Sequence, residues 1–384
     1  MCDPIPVSRR DFVKGATALA AVPVMGHATL GEVLKGAPRP AAPVAWPGYG
    51  DAIVVDFLAS PGYFNYPADP PMSADMLKNA VASGITGANL TVNGGDFEQT
   101  VAKIARWEAE IDRHSDALQR VRSVDHLLEA KRSGRLGVIY GFQDAVPVGR
   151  DLGRLEVFGN LGVKVIQLTY NVRNLVGDGC LEPGNAGLSN FGHALVERMD
   201  EMGTIVDLGH CGQRTTAEGI TASRNPVAIS HSACKAVAPH PRSKRDEELK
   251  SMADRGGVVG IYLMPFLSPG RVPTADDVIA HIEHALDVCG EDHVGIGSDL
   301  SVTPIDMSDE YWSAHRKFVQ ARIDQGIAAP NEDPNILFTV PELNNVHRLD
   351  MIADRLAAKG HRPAVVEKVI GGNWLRLFRE VWKA

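Results

Sequence analysis

Two histidines and an aspartate each lie at or near the end of a short apolar run in the second half of the chain. His210 ends TIVDLGH, His231 lies in PVAISHS and Asp299 lies in HVGIGSDL. Neutral imidazoles suit Zn²⁺, and a carboxylate beside the metal can act as a ligand or as a general base. A lone histidine at such a position is commonly structural. Three such residues together predict a metal-dependent site with His210, His231 and Asp299 as candidate ligands.

Two tyrosines and a glutamine occupy similar positions in the first half. Tyr140 lies in LGVIYGF, Gln143 follows that run, and Tyr170 follows VKVIQLT. Aromatic side chains with a few polar groups are typical of small-molecule pockets, and a tyrosine can act as an acid or a base. We therefore expect Tyr140 and Tyr170 to be candidate catalytic residues, and Gln143 and Tyr170 to contact a substrate. Simple packing at the mouth of the fold is the alternative.

Eight short apolar runs must position these residues. They cover residues 52–58, 86–92, 136–142, 163–169, 204–210, 226–232, 257–263 and 293–300. Each run is nearly continuous in apolar residues, as in strands that are covered on both faces. Amphipathic stretches at 97–123, 188–202 and 274–290 predict helices between the strands.

The alternation of strands and helices predicts an α/β protein with a parallel sheet, and eight strands close a TIM (β/α)8 barrel. In such a barrel the active site forms where the strands end, so the residues above would meet at one rim. An open doubly wound sheet is the alternative. It would show a Gly-rich phosphate loop after the first strand, and DFLASPG does not have that pattern.

The chain divides into three parts. Residues 1–28 resemble a Tat signal, because Arg9 and Arg10 precede Lys14 and a short apolar run that ends near Gly26. Export to the periplasm is therefore expected. Residues 29–50 are predicted to be a Pro/Gly-rich linker, and 51–384 a single barrel domain. Within that domain a polar stretch at about 301–350 predicts an insertion over the barrel top, and 363–382 predicts closing helices.

Composition excludes some classes of partner. The chain has 384 residues and a formal net charge of −8 without a basic stripe, so we expect no nucleic-acid partner. It has no run of 18 apolar residues, so no transmembrane span is expected.

The four cysteines after the signal (Cys180, Cys211, Cys234 and Cys289) cannot be paired from sequence. A small molecule remains the expected partner.

Six stretches together resemble the membrane (renal) dipeptidases, peptidase family M19. They are IQLTYNVRN, IVDLGHCG, VAISHSACKAVAPHPRS, RGGVVGIYLMPFL, HVGIGSD and GGNWLRLF, and the likeness runs from about residue 50 onward. The resemblance implies a metal-dependent-hydrolase type of TIM barrel in which two zinc ions share a water that attacks a dipeptide. It implies that His210 and His231 bind one zinc, that Asp299 handles the proton of the water, and that Arg242 holds the substrate carboxylate. A homodimer is a further expectation from the family.

The sequence departs from the family pattern at the other metal. The family's first strand ends in His-x-Asp, and Leu58 and Ser60 occupy those positions here. The bridging glutamate of the third strand aligns with Tyr140, and the family's substrate-contacting histidine after the fourth strand aligns with Tyr170. Leucine cannot bind zinc, and serine and tyrosine rarely do. The second zinc therefore lacks almost all of its ligands.

We accordingly expect at most one zinc ion, held by His210 and His231 with Asp299 as a candidate third ligand. Three functions remain open at this point. The first is a periplasmic hydrolase of dipeptides or related small amides. The second is a binding or accessory protein that lacks a hydrolytic metal. The third is a barrel enzyme with other small-molecule chemistry, which uses Tyr140 or Tyr170 as acid or base.

Overall fold

The computed structural model describes residues 46–62 and 70–382. The predicted Tat-like signal at 1–28 and most of the predicted linker at 29–50 lie outside these residues. Within them, no helix is both long enough and apolar enough to cross a membrane.

The described residues form eleven strands in chain order. These are β1 (Val55–Asp56), β2 (Ala59–Ser60), β3 (Gly87–Thr91), β4 (Leu118–Val121), β5 (Leu136–Phe142), β6 (Val163–Gln167), β7 (Ile205–Asp207), β8 (Ala228–Ser232), β9 (Val258–Ile261), β10 (Val294–Ile296) and β11 (Leu300–Ser301). Eight of them, β1, β3 and β5 to β10, pair in parallel, and β10 returns to β1. The chain is thus a closed (β/α)8 barrel, and each of the eight predicted runs contains one of its strands.

Helices follow the strands and cover the outside of the barrel. They are α1 (Ala74–Ala82), α2 (Phe97–Arg113), α3 (Val124–Ser133), α4 (Arg154–Asn160), α5 (Asn190–Met202), α6 (Gln213–Ala222), α7 (Asp246–Asp254), α8 (Ala275–Cys289), α9 (Asp309–Asp324), α10 (Arg348–Ala358), α11 (Pro363–Glu367) and α12 (Asn373–Val381). Two of the predicted helices begin at side-chain caps, because the Ser189 and Thr274 side chains accept hydrogen bonds from backbone N–H groups in the first turns of α5 and α8.

The predicted helix at 97–123 is shorter than expected. It ends at Arg113, and β4 follows it and pairs with the first half of β5, whereas β6 pairs with the second half. Leu118 and Val121 are buried, and the two residues between them are partly exposed. A run of four residues is too short to show a clear periodicity of apolar residues. Its conformation is decided instead by its pairing with β5.

Helix α12 closes the end of the barrel at which the strands begin. Its apolar residues form one cluster with Val55, Ile205, Ala228 and Val258, which lie at or next to the first residues of their strands. Trp374 stacks on Phe57 with ring centroids 4.1 Å apart and donates a hydrogen bond to the Ile296 carbonyl. The opposite end, where the strands finish, is left for polar groups.

The polar stretch at 301–350 contains α9 and lies against residues that follow the strands. Arg322 on α9 contacts Tyr170, and the carbonyls of Ile327 and Pro330 accept hydrogen bonds from Asn171 and His240. These contacts connect the predicted insertion to the loops at the C-terminal ends of β6 and β8.

Candidate active site

The two predicted histidines meet at the C-terminal rim of the barrel. His210 lies three residues after β7, and His231 lies within β8. Their Nε2 atoms are 2.8 Å apart, and both side chains are buried. The structure therefore brings this predicted pair into direct contact.

The other ring nitrogen of His210 is held by Asn171. The Asn171 Oδ1 atom lies 2.6 Å from His210 Nδ1, and Asn171 Nδ2 donates to the Ile327 carbonyl at 2.7 Å. Because Nδ2 must face a carbonyl, Oδ1 faces the ring, and His210 Nδ1 must carry the proton. The Nε2 atom of His210 is then left with a lone pair.

The other ring nitrogen of His231 is held by a serine and an aspartate. Ser230 Oγ lies 2.6 Å from His231 Nδ1 and donates its proton to Asp207 Oδ2 at 2.6 Å. Asp207 also accepts the N–H groups of Gly209 and Ser230. Since Ser230 gives its proton to the carboxylate, it accepts one from His231 Nδ1. The Nε2 atom of His231 therefore also presents a lone pair.

With both rings protonated on Nδ1, the two Nε2 lone pairs can bind one metal ion that lies to the side of the line joining them, whereas a ring proton on either Nε2 would give an ordinary hydrogen bond at this distance. An added proton is disfavoured, because burial and the Arg242 charge lower the pKa of both histidines well below the ordinary value. Neutral imidazoles whose Nδ1–H groups are bound to oxygen acceptors are typical zinc ligands. His210 and His231 thus offer two of the three protein ligands that a catalytic zinc site has.

Asp299 lies on the same rim but does not complete a ligand triad. Its backbone has a left-handed φ of 61°, and its Oδ1 atom accepts a long hydrogen bond of 3.4 Å from Gln143 Nε2. Among residues 46–62 and 70–382, no three or more His, Cys, Asp or Glu side chains converge closely enough to hold a metal ion. The predicted set of His210, His231 and Asp299 is therefore corrected to a pair of histidines.

The Asp299 carboxyl is instead poised to exchange a proton. Burial raises its pKa to about 7, and the positive charges of Arg242 and Arg322 oppose that rise. A carboxyl group with a pKa near neutrality can accept and return a proton under physiological conditions. Gln143, which was predicted to contact substrate, is the residue that donates a hydrogen bond to it.

Arg242 is buried beside these groups. Its Nη1 atom donates to the Gly209 carbonyl at 2.6 Å, and its guanidinium lies 6.0 Å from the centre of the Tyr262 ring. Its charge acts on Asp299 and on both histidines. An arginine in this place can bind a carboxylate with its remaining N–H groups.

Tyr170 joins the group as predicted, and it brings two residues that sequence analysis missed. Its ring stacks on His210 with centroids 4.1 Å apart, and its hydroxyl accepts a hydrogen bond from Arg322 Nη1 at 3.0 Å. Arg322 also forms a two-point ion pair with Glu332. Arg322 lies 152 residues after Tyr170 in the chain, and no local sequence pattern linked the two.

The structure does not bring Tyr140 to this group. Its neighbours in electrostatic terms are Arg120, Arg122 and Asp112, which belong to β4, the residue after it, and α2. Side chains alternate along a strand, and the preceding residue, Ile139, faces the apolar interior of the barrel. Tyr140 therefore faces outward, and its predicted catalytic role is wrong.

At the positions where the family has the ligands of its other zinc ion, the side chains of this chain make structural contacts. A Cβ atom added at Gly141, the inward position next to Tyr140, would collide with Asn89 Oδ1. Leu58 is buried, and the Ser60 hydroxyl accepts the Gly62 N–H group. These residues offer no ligand set for a second ion.

A cavity of about 400 Å³ lies among the residues that follow β7 and β8, and its lining does not include His210, His231, Arg242 or Asp299. Its walls include Cys211, which follows His210, and Pro241 and Ser243, which flank Arg242. This volume is within the range of small-molecule pockets. The cysteines of the described residues are free, and burial raises the pKa of the Cys211 thiol to about 11, so that thiol is protonated and unreactive.

A closed (β/α)8 barrel with an imidazole pair, a protonatable carboxyl and a buried arginine at its C-terminal rim defines a class of metal-dependent hydrolase barrels. Comparison with known families gives a narrower assignment. Residues 71–320 match the family described as membrane dipeptidase (Peptidase family M19). This is well over half of the chain, and the chain belongs to that family.

Two fungal proteins are similar in sequence. Dipeptidase verJ of Clonostachys rogersoniana is 28% identical over 273 residues, which are 71% of this chain and 62% of that protein. Dipeptidase tcpJ of Claviceps purpurea is 26% identical over 289 residues, or 74% of this chain and 67% of that protein. The chain thus matches about two thirds or less of the length of these relatives.

Solved structures share the fold. An amidohydrolase from Pseudomonas aeruginosa is 35% identical and has a TM-score of 0.77, with 87% of this chain and 98% of that chain covered. A metallo peptidase from Rhodobacter sphaeroides, liganded with a phosphinate mimic of the dipeptide L-Ala-D-Ala, is 18% identical. Its TM-score is 0.67, with 86% of this chain and 100% of that chain covered.

Proposed function

We propose that this protein hydrolyses dipeptides or related small amides with the help of one metal ion held by His210 and His231. The observation that carries the proposal is the 2.8 Å approach of the two Nε2 atoms, with Asn171 Oδ1 and Ser230 Oγ each 2.6 Å from an Nδ1 atom. Zinc is the metal that two neutral imidazoles suit best in this family. Leu58, Ser60 and the outward position of Tyr140 argue against a second ion.

The bound metal would lower the pKa of water and polarise the amide carbonyl. Asp299 would take the proton from the attacking water and return it to the leaving amine. Its pKa of about 7 suits both transfers, because a catalytic group works best near the operating pH. Gln143 would keep the Asp299 carboxyl in place through its hydrogen bond.

Arg242 would bind the terminal carboxylate of the substrate. The guanidinium is rigid because Nη1 is bound to the Gly209 carbonyl and the side chain is buried. A planar guanidinium can bind a carboxylate through two parallel hydrogen bonds, which a lysine ammonium cannot do. Tyr170 would lie beside the bound substrate, because it stacks on His210.

Two measurements test this function. Zinc-loaded protein should cleave members of a dipeptide panel, and the His210→Ala/His231→Ala double variant should lose both the metal and the activity while it keeps its circular dichroism spectrum. Arg242→Lys should raise KM for a dipeptide and have little effect on the same dipeptide with an amidated C-terminus. An intact fold without metal would instead favour the binding or accessory protein, and bound zinc without cleavage of any dipeptide would favour a barrel enzyme with other small-molecule chemistry.

A further inference from the structure

We propose that the substrate of this protein is an N-acyl amino acid, a compound with a free carboxylate whose amide nitrogen carries an acyl group without an ammonium. This substrate class rests on the proposed function, of which it is a narrower form. The rim offers a buried guanidinium for the carboxylate, but the carboxylates around it are already bound by protein groups. The α-ammonium of a free dipeptide would therefore be left without a partner.

Positive charges lie beside the histidine pair. Arg242 and Lys244 are buried, and their charges act on both His210 and His231. The Lys244 ammonium is held in place, because it donates a hydrogen bond to the Cys211 carbonyl at 2.8 Å. These charges attract the carboxylate of a substrate. They repel its ammonium group unless a carboxylate of the protein lies next to that group.

Two carboxylates near the rim are occupied by other residues of the barrel and its loops. Asp207 accepts hydrogen bonds from the N–H and the hydroxyl of Ser230 at 2.8 and 2.6 Å, one on each oxygen. Asp144 accepts Asn174 Nδ2 at 2.7 Å on Oδ1 and the Tyr170 N–H at 3.3 Å on Oδ2. Because both oxygens of each group already hold the fold in place, neither carboxylate is available to a substrate ammonium.

The third carboxylate, Glu332, is neutralised by Arg322. Nε and Nη2 of Arg322 bind the two Glu332 oxygens at 2.6 and 2.8 Å, and Oε1 also accepts the Ala329 N–H at 2.9 Å. Only 3% of the Glu332 side chain and 12% of the Arg322 side chain are exposed. An ammonium that took Glu332 would leave a buried guanidinium unpaired, which is strongly unfavourable.

The fourth carboxyl, Asp299, differs from these three. Within residues 46–62 and 70–382 only its Oδ1 atom has a hydrogen-bond partner, which is Gln143. Its task in the proposed reaction is to accept and return a proton, and an ammonium beside it would hold the carboxyl in its charged form. On one side it is followed by an apolar neighbour, because the Asp299 N–H donates to the Leu58 carbonyl at 2.9 Å. An uncharged acyl group suits this place better than an ammonium does.

Hydrolysis of an N-acyl amino acid uses the groups already assigned. The oxygen of water bonds to the amide carbonyl carbon, the C–N bond breaks, and the products are a carboxylic acid and an amino acid. Asp299 takes one proton from the water and gives it to the leaving nitrogen. Arg242 holds the carboxylate of the leaving amino acid. The acyl half makes no demand for a charged partner.

A matched pair of compounds tests the inference. N-propionyl-alanine and glycyl-alanine have the same heavy-atom skeleton and differ where a methyl group replaces the ammonium. Zinc-loaded full-length protein would be assayed with both, each made with L- and with D-alanine, at about pH 7, where the α-amino group is charged. The kcat/KM for N-propionyl-alanine should be ~10–100-fold higher, because an unpaired buried charge is costly. An equal or higher kcat/KM for glycyl-alanine would overturn the inference.

Two variants test the charge explanation. Arg322→Met releases the Glu332 carboxylate, whose charge acts on Asp299, and should narrow the preference for N-propionyl-alanine because a substrate ammonium gains a partner. Arg322→Met/Glu332→Gln is the matched control, since it removes both charges and should keep the wild-type preference. A preference that stays the same in Arg322→Met, or that narrows equally in both variants, would contradict the explanation.

Calorimetric binding to chelator-treated wild type gives a readout without catalysis. N-propionyl-alanine should bind ~10-fold or more tightly than glycyl-alanine. The two proposals fail differently. Zinc-loaded protein that cleaves no amide at all would remove the proposed function, whereas glycyl-alanine that binds as tightly as N-propionyl-alanine would remove this inference alone.

Discussion

Single residues at the rim are defined by their hydrogen-bond partners more than by their type. His210 and His231 are equivalent in sequence, yet one depends on Asn171 and the other on Ser230 and Asp207. Asp299 has an aspartate's chemistry, but burial gives it a pKa of about 7. The sequence identified these residues but not their partners, because Asn171 and Asp207 come from other parts of the chain and no pattern marks the adjacent Ser230 as a partner of His231.

The pKa of Asp299 should be visible in the pH dependence of stability. It is raised above the ~3.9 of an unfolded aspartate, so folding favours the protonated form. The stabilising contribution is fully present below about pH 4 and is lost as the pH rises through about 7. Asp299→Asn stays neutral at every pH and should not show this loss.

Urea unfolding of chelator-treated protein between about pH 5 and about pH 8 gives the measurement. The free energy of unfolding of the wild type should fall relative to that of Asp299→Asn as the pH rises. Parallel profiles for the two proteins would show that Asp299 has an ordinary pKa and would remove its assignment as the proton carrier.

Elements were predictable where burial on both faces left a continuous apolar run. All eight barrel strands are of this kind, and their order along the chain fixed the fold class. β4 was missed because Leu118–Val121 is short and half polar. Another feature without a sequence signal is the register shift in β8 between Ile229 and Ser232, next to His231. It lets the consecutive residues Ser230 and His231 both contact partners that follow or belong to β7.

Helix α12, at the end of the barrel where the strands begin, should contribute to stability but should not affect metal binding at the opposite end. Trp374 on α12 is fully buried and stacks on Phe57. Trp374→Ala should lower the free energy of unfolding by ~3–5 kcal/mol, because it leaves a cavity in the core. Trp374→Phe keeps an aromatic ring and should cost less. Zinc affinity should not change in either variant that still folds.

Chemical denaturation and zinc titration of the same two variants check this separation of roles. Functional groups gather where the strands of such barrels end, and the other face serves stability. A Trp374→Phe protein that is nearly as stable as the wild type but binds zinc much more weakly would contradict it.

The whole molecule keeps the family barrel, and we propose that its metal centre is altered. The likeness to a 35% identical solved structure extends over 87% of the chain. Yet Leu58 and Ser60 end the first strand, and Gly141 leaves no room for an inward carboxylate. A fold supports many chemistries, and the groups at its rim decide which one operates. The number of metal ions at this rim therefore decides which chemistry the protein performs.

Metal content of the full chain tests that point most directly. Protein stripped with a chelator, reloaded with excess zinc and freed of unbound metal would be analysed by mass spectrometry of the element. We expect one zinc ion per chain in the wild type and none in the His210→Ala/His231→Ala double variant. Two zinc ions per chain, or one that persists in the double variant, would contradict the account.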